Sequence, residues 1–193
     1  GAILYCPDID ARKQAGVNFM AESIADINDI ADLPTPPGGP AVWYGPDMKA
    51  NTDWLHVLTP GDCAEVEAAM RPLVDSEADI AHLTRADFPL PTLGPKLARI
   101  CAEVIDGRGF ALLRGLPVEH WSIRESAMAY FGIGCHFGHA RSQNGKGHVL
   151  GHVRDLGRDA VNDPSARIYQ TRERQTYHTD SCDIVALLCL KTA

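Results

Sequence analysis

Three helical patterns with clear ends occupy the middle of the chain, and they constrain its fold more than any other feature. In the first, Thr59 is placed to cap a helix that begins at Pro60 and has Asp62 in its first turn. Apolar residues then recur at helical spacing, namely Cys63, Val66, Met70, Leu73 and Val74. The pattern predicts an amphipathic helix with one face against a core.

The second and third patterns predict two further helices. One runs from about Leu93 to Asp106, and Gly107 is placed to end it. Its predicted apolar face comprises Leu97, Ile100, Cys101, Val104 and Ile105. The other begins with a capping box of Ser122 and Glu125. Its broadly periodic apolar residues are Ile123, Ala127, Tyr130 and Phe131.

Strand signals lie mainly after the helices. Phe110 to Leu113 is a short apolar run between Gly and Pro and predicts a buried strand. A short strand is expected at His148 to Val153, and Asp183 to Leu190 predicts a strand buried on both faces. The order of the elements, with helices first and strands after them, predicts an α+β fold with an unfinished sheet. An open sheet edge favours pairing with another chain, so we expect a capacity for self-association.

Residues 1–50 lack a regular pattern. The run "DLPTPPGGPAVWYGPDM" is dense in Pro and Gly and predicts an extended segment, which Val42, Trp43 and Tyr44 would pack onto the rest. Residues 51–193 are assigned to one domain, because 193 residues suffice for one core. The chain starts at Gly and ends directly after a strand-like run, so we expect a fragment, a processed chain or an incomplete sequence.

Composition excludes several classes of function. The formal net charge of −7 argues against a nonspecific nucleic-acid surface. A local excess of basic residues from Arg141 to Arg174 leaves a small anionic ligand open. No run is long enough to span a membrane, and the first residues do not resemble a secretory signal. The six cysteines form no C-x-x-C pair, which predicts reduced thiols in a cytoplasmic protein.

The sharpest chemical signal is the stretch "QTYHTDSCDIVALLCL". In an extended segment His178 and Asp180 point to the same face, so their side chains can converge on one metal ion. A His and a carboxylate are two of the three ligands of the facial triad that holds non-haem Fe(II). The apolar run that follows would hold the pair rigidly, and Tyr177 would form an aromatic wall beside it.

A structural interpretation of this stretch, without a metal ion, stays open. With 8 His and 25 acidic residues in the chain, about one His-x-acid match arises by chance. Thr179 and Asp180 would then form a polar turn, and His178 would hydrogen-bond locally.

Two other clusters are weaker. The run "CHFGH", Cys135 to His139, has no C-x-x-C partner and a spacing too short for a zinc finger, so a Gly-rich turn after a helix is favoured. A nucleophile at Ser181 or Cys182 is disfavoured, because no nucleophile elbow surrounds them and both adjoin a predicted buried strand.

Polar residues elsewhere are candidates for contacts with a ligand. The run "ARSQNGKG" contains Ser142, Gln143, Asn144 and Lys146, which form either an exposed turn or the mouth of a pocket. Arg172 and Arg174 would share a face if extended, and they would either attract a carboxylate or be solvated.

Several blocks in order resemble a known family. These are "GRGFALLRGLPVEHWS", "YFGIGCHFG", "SQNGKGHVLGHVRDLG" and "IYQTRERQTYHTDSCDIVALLCLKTA". Together they are similar to the taurine dioxygenase and clavaminate synthase-like family of Fe(II)- and 2-oxoglutarate-dependent oxygenases. The resemblance covers residues 90–193 well and 40–90 loosely.

The resemblance implies a double-stranded β-helix, or jelly roll, flanked by helices. It implies that His178 and Asp180 are two Fe(II) ligands, with 2-oxoglutarate as co-substrate, O₂, and a small-molecule substrate whose C–H bond is oxidised. Asn144, Arg172, Arg174 and Tyr177 are candidates for contacts with substrate or co-substrate. The family's second His ligand and its 2-oxoglutarate-binding Arg lie far downstream of the H-T-D segment, and only 13 residues follow Asp180. We therefore expect the jelly roll to be truncated and activity to belong to a longer protein.

Two alternatives remain. One is a non-catalytic binding or assembly module with the same partial fold. The other is a zinc-dependent hydrolase that uses the same His and Asp and does not require 2-oxoglutarate.

Overall fold

A computed structural model describes residues 38–143, 147–159, 162–163, 165–174, 177–178, 180 and 182–192, together with the backbone of residues 2–5. The α-helices in these ranges are α1 (Gly45–Ala50), α2 (Pro60–Asp75), α3 (Leu93–Asp106) and α4 (Ile123–Gly134). The strands are β1 (Ala2–Tyr5), β2 (Leu55–Val57), β3 (Leu112–Arg114), β4 (His139–Arg141) and β5 (Ile184–Ala186). Short 3₁₀ turns lie at Ile80–His82, Val118–His120 and Ile168–Gln170. Helices and a partial sheet are mixed, in agreement with the predicted α+β class.

Helix α2 begins as its sequence predicts. The Thr59 hydroxyl accepts a hydrogen bond from the Asp62 amide, and the Asp62 carboxylate accepts one from the Thr59 amide at 2.9 Å. Lys96 on α3 donates to the same carboxylate at 2.7 Å, although Asp62 is only 3% exposed. The hydrogen bond from Lys96 and those from Thr59 outweigh desolvation and lower the pKa of Asp62 to about 2.

Helix α3 has the predicted bounds, but its N-terminus is capped from another helix. Thr92 makes no side-chain cap. Instead, the carboxylate of Glu65 on α2 accepts hydrogen bonds from the amides of Thr92 and Leu93, at 2.7 and 2.9 Å. A negative charge at this end satisfies unpaired amides and interacts favourably with the helix dipole. The contact also fixes α3 against α2.

Helix α4 has the predicted capping box, but its buried face differs from the prediction. Ser122 and Glu125 exchange the two expected hydrogen bonds. Of the predicted periodic residues, Phe131 is buried but Ile123 is 63% exposed, and the buried face also includes Met128 and Ala129. The loose periodicity therefore identified only part of the face that packs against Phe88. At Gly132 an added Cβ would lie 2.2 Å from the Phe88 ring, so only glycine permits this approach.

The core lies among α2, α3 and α4 and the segment before α3. Its most deeply buried large side chains are Phe88, Met70, Leu93, Leu97, Met128 and Val66. The predicted inward residues Leu73, Val74 and Val104 pack against it from the side. The predicted apolar faces of α2 and α3 are therefore confirmed.

Strands β2 and β3 pair in parallel across the two intervening helices, with His56 opposite Leu113. The strand predicted at Phe110 to Leu113 is confirmed, but it begins two residues later and ends one residue later, from Leu112 to Arg114. The prediction that it is buried was wrong, since Leu112 is 41% exposed. In the described part this pair is a two-stranded sheet.

The second sheet has three antiparallel strands in the order β4-β1-β5. The strand predicted over Asp183 to Leu190 is shorter, and its burial on both faces is wrong: Ile184 is 7% exposed but Val185 is 48% and Leu187 is 72% exposed. The physical reason is that an antiparallel sheet commonly buries one face and leaves the other to solvent, and Ile184 and Val185 of β5 point to opposite faces. The strand predicted at His148 to Val153 is also wrong, because these residues form no strand. Strand β1 had no counterpart among the predictions.

Only part of the predicted extended segment over residues 1–50 lies within the described ranges. Its final residues form the short helix α1, which begins with Pro in its first turn. The Trp43 ring packs edge-on against Phe110 with the centroids 5.2 Å apart, so the expected packing of this segment is confirmed at Trp43. The division at residue 50 stays a prediction.

Among the described residues, no helix combines the length and apolar composition needed to span a membrane. The expected cytoplasmic location stays a prediction. The cysteines in these ranges (Cys63, Cys101, Cys135, Cys182 and Cys189) are free thiols.

Candidate metal centre

His178 and Asp180 lie in the segment that leads into β5. The His178 Nε2 and Asp180 Oδ2 atoms are 3.8 Å apart, and the side chains are 47% and 40% exposed. The Cys182 amide donates to the Asp180 carbonyl at 3.0 Å, and the buried Ile184 starts β5 two residues later. The pair therefore precedes a strand anchored in a sheet, as the sequence predicts.

The distance between these atoms fits a shared metal ion after a small adjustment. Nitrogen and oxygen ligands bind first-row metals at about 2.1 Å, which puts neighbouring ligands of an octahedral ion about 3 Å apart. The two side chains need to approach by less than about 1 Å, within reach of small rotations. An imidazole with a carboxylate is also a donor set suited to Fe(II). The residues present thus fit an iron ion, with further ligands required.

Distance alone does not distinguish this pair from two others on the surface. His82 lies 3.7 Å from Asp79, and His120 lies 3.7 Å from Glu119. The His82 and His120 side chains are 85% and 77% exposed, so both lie in solvent. His178 and Asp180 are distinguished by their lower exposure and by their place directly before a strand. Within the described ranges, no three His, Cys, Asp or Glu side chains form a metal-binding group.

The other candidate ligand-contacting residues that the structure describes are exposed. Arg172 and Arg174 are exposed. Tyr177 is 101% exposed, so its ring packs against no described residue and the expected aromatic wall is wrong in this structure. Asn144 lies outside the described residues. These four residues stay candidates from the sequence alone.

The run "CHFGH" is a structural turn, as favoured. Helix α4 ends at Gly134, and His136 Nε2 then donates to the Phe88 carbonyl at 2.9 Å. Burial lowers the pKa of His136. Burial also raises the pKa of the Cys135 thiol to about 11, which leaves it protonated and unreactive at neutral pH.

Cys182 is not a nucleophile either. Burial, followed by the nearby charges of Asp180 and Asp183, raises the pKa of its thiol. A nucleophilic cysteine needs the opposite shift. Ser181 lies outside the described residues.

A cleft of about 570 Å³ lies between β2 and α3, lined by residues that include His56, Lys96 and Arg108. Its charged groups are largely paired within the protein. Lys96 contacts Asp62, and Arg108 contacts Asp53 at 2.5 Å. The lining does not include His178 or Asp180.

Arg158 lies at the centre of a hydrogen-bond network that precedes the segment with His178 and Asp180 and that no sequence pattern predicted. The guanidinium forms an ion pair with Asp163 and donates to Ser165 Oγ at 2.7 Å and to Gln170 Oε1 at 3.2 Å. The hydrogen bonds of Ser165 and of Arg158 lower the pKa of Asp163 to about 2. The only signal in the sequence was the local excess of basic residues, and it was assigned to anion binding.

Comparison with known proteins shows which family this chain resembles. The family described as "Taurine catabolism dioxygenase TauD, TfdA family" matches residues 71–193. The chain is 34% identical over 161 residues to FR-33289 synthase of Streptomyces rubellomurinus (strain ATCC 31215), covering 83% of this chain and 48% of that protein. It is 29% identical over 157 residues to taurine hydroxylase-like protein SAT17 of Stachybotrys chartarum (strain CBS 109288 / IBT 7711), covering 78% and 41%.

The chain therefore spans about half the length, or less, of these two relatives. The family match covers well over half of the chain and includes His178 and Asp180. The chain belongs to the TauD, TfdA family of taurine catabolism dioxygenases.

Proposed function

We propose that this chain is part of an Fe(II)- and 2-oxoglutarate-dependent oxygenase and carries two of its three protein ligands to iron. His178 Nε2 and an Asp180 carboxylate oxygen hold the metal. The complete domain is a double-stranded β-helix in which β5 gains further neighbours. The third ligand and the arginine for 2-oxoglutarate are not assigned to any residue of these 193.

The observation that carries this proposal is the approach of the His178 and Asp180 ligand atoms to 3.8 Å at the entrance to β5. The position lies within the matched family region, and the names of both relatives denote a synthase and a hydroxylase-like protein. Oxidation of a C–H bond in a small substrate is consistent with both names.

Fe(II), when bound, supplies binding positions for 2-oxoglutarate and O₂ and the redox chemistry for oxidative decarboxylation coupled to substrate oxidation. The residues of this chain would bind the iron and orient the small-molecule ligands. His178 contributes a neutral imidazole and Asp180 a negative charge, which offsets part of the charge of the metal. Arg172 and Arg174 are both exposed, and their guanidinium groups would be available to attract a carboxylate. A small organic acid or amino-acid derivative is the substrate class that suits them.

An anaerobic titration tests the proposal. Fe(II) and 2-oxoglutarate are added to the protein expressed from the complete gene, and the visible metal-to-ligand charge-transfer absorption is recorded. Wild type is expected to show the band and His178→Ala to lose it. A variant that keeps the band would show that His178 does not bind the iron.

Activity assays on the same protein separate the two alternatives. A zinc hydrolase would be active with Zn²⁺ and indifferent to 2-oxoglutarate. A non-catalytic module would show no succinate production, and it would self-associate through β5, where Val185 is exposed. Sedimentation of wild type and of Val185→Lys reports whether that edge is used.

A further inference from the structure

We propose that Arg158 is a positioning residue. It fixes residues 154–173, called here the base of the segment that carries His178 and Asp180. The structural part of this inference stands on contacts within residues 154–173. The part that concerns metal affinity rests on the proposed function.

Arg158 joins three side chains that are separated along the chain. One terminal nitrogen, Nη2, contacts Asp163 and Ser165 Oγ, and the other, Nη1, donates to Gln170 Oε1 at 3.2 Å. The Ser165 hydroxyl donates to the Asp163 carboxylate at 2.6 Å, which closes the network. A planar guanidinium with five donors satisfies these acceptors together, whereas a lysine ammonium is a point charge on a flexible stem.

Gln170 is held from several directions. Its Oε1 also accepts from the Arg167 amide at 3.2 Å. Its backbone carbonyl accepts from the Leu156 amide at 2.8 Å, and the neighbouring Tyr169 carbonyl accepts from the Arg154 amide at 3.1 Å. Arg158 therefore closes a loop whose two ends, residues 154–156 and 169–170, are already joined by backbone hydrogen bonds.

The ordered base continues beyond Gln170. Thr171 is only 9% exposed, and its hydroxyl donates to the Ile168 carbonyl at 2.9 Å. The same hydroxyl accepts from the Glu173 amide at 3.1 Å. The chain is thus fixed as far as Glu173 on one side of the pair, and on the other side it is fixed by β5, where Ile184 pairs with Leu4.

These two anchors have a consequence for metal binding. His178 and Asp180 are 47% and 40% exposed, so neither side chain is fully enclosed and the backbone that carries them contributes to their placement. A segment tied at both ends has fewer conformations to lose when its ligands bind a metal. Loss of the Arg158 anchor is therefore expected to weaken metal binding without any loss of a ligand. Residues that orient metal ligands indirectly typically change affinity by about 10- to 100-fold.

The experiment compares Arg158→Gln and Arg158→Lys with wild type. The matched control is Arg71→Gln, which removes an arginine–carboxylate contact with Glu125 at 3.0 Å between two helices of the core. The first readout is amide hydrogen exchange in the metal-free protein at Arg154, Leu156, Thr171 and Glu173. The second is the dissociation constant for Fe(II) alone, measured anaerobically, and both readouts use the protein expressed from the complete gene.

Arg158→Gln is expected to speed exchange at these four amides about tenfold and to raise the Fe(II) dissociation constant about tenfold. Arg158→Lys keeps the positive charge opposite Asp163, so amide exchange and the Fe(II) dissociation constant are expected to rise less than in Arg158→Gln. Arg71→Gln is expected to change neither.

Unchanged exchange at these amides in Arg158→Gln would overturn the inference. Faster exchange with unchanged Fe(II) affinity would also overturn it, because Arg158 would then have only a structural role. If wild type itself binds no Fe(II), the proposed function fails, and exchange alone decides whether Arg158 anchors the segment.

Discussion

The helical core and the segment before β5 are built in contrasting ways. In the core, Val66, Met70, Phe88 and Leu97 are 0% exposed, and the helices are joined by buried contacts. In the segment before β5, Tyr177 is 101% exposed, the His178 and Asp180 side chains are 47% and 40% exposed, and described hydrogen bonds lie at its two ends. The buried core and the candidate metal ligands therefore lie in separate regions, so a mutation in one region is expected to leave the other region unchanged.

Truncation of a core side chain should have the largest effect on stability. Phe88→Ala removes a fully buried ring that packs on Gly132, and it is expected to lower the free energy of unfolding by about 3 to 5 kcal/mol. Leu187→Ala, at an exposed site after β5, is the matched control and should change it by less than about 0.5 kcal/mol. Urea denaturation measures both. Equal losses would contradict the contrast between the two regions.

The buried carboxylate of Asp62 should give the next largest effect, and the effect should depend on pH. The pKa of Asp62 is lowered to about 2 in the folded protein, so its stabilisation is present above its unfolded pKa of about 4. Asp62→Asn is expected to cost about 1 to 2 kcal/mol at pH 7, because solvent around Lys96 screens part of the interaction. The difference from wild type should shrink as the pH falls from about 5 to 2. A difference that grows in acid would contradict the assignment.

The cap that Glu65 provides for α3 should contribute less. Glu65→Ala leaves the Thr92 and Leu93 amides without their acceptor, and about 1 kcal/mol of stability should be lost. Glu119→Ala is the control, since the Glu119 side chain is 67% exposed. Thermal unfolding of both variants provides the measurement. A lower melting temperature for the control than for Glu65→Ala would show that the cap does not stabilise the helix.

Replacement of the candidate ligands should have the smallest effect on stability. His178→Ala and Asp180→Ala are each expected to change the free energy of unfolding of the metal-free protein by less than about 0.5 kcal/mol, since both side chains are partly solvated. Denaturation in the presence of a chelator checks this. A loss of several kcal/mol would mean that the pair has a structural role in the fold.

The helices could be predicted because their signals are local. Thr59 with Asp62 and Ser122 with Glu125 each act over three residues, and both capping boxes form as the sequence indicates. The cap that Glu65 provides joins residues 27 positions apart, and no local sequence pattern predicts such a contact. For the same reason the sequence did not indicate which face of α4 would meet Phe88.

The strands were less predictable, because burial depends on what covers a strand. The apolar run at Ile184 to Leu190 has the composition of a strand buried on both faces, yet β5 is short and lies at a sheet edge. At the candidate site, spacing and the family blocks identified His178 and Asp180. The Arg158 network was missed because its partners lie in an irregular loop, where side chains meet without any periodicity.

Equilibrium Fe(II) binding under anaerobic conditions, measured on the protein expressed from the complete gene, tests whether His178 and Asp180 bind iron. Wild type, His178→Ala and Asp180→Ala are compared with His82→Ala and His120→Ala, which disrupt the two surface His–carboxylate pairs of similar distance. His178→Ala and Asp180→Ala are each expected to weaken binding by at least about 100-fold, whereas the two surface variants should bind like wild type. Wild-type affinity in His178→Ala, or a comparable loss in the surface variants, would show that the pair does not hold the iron.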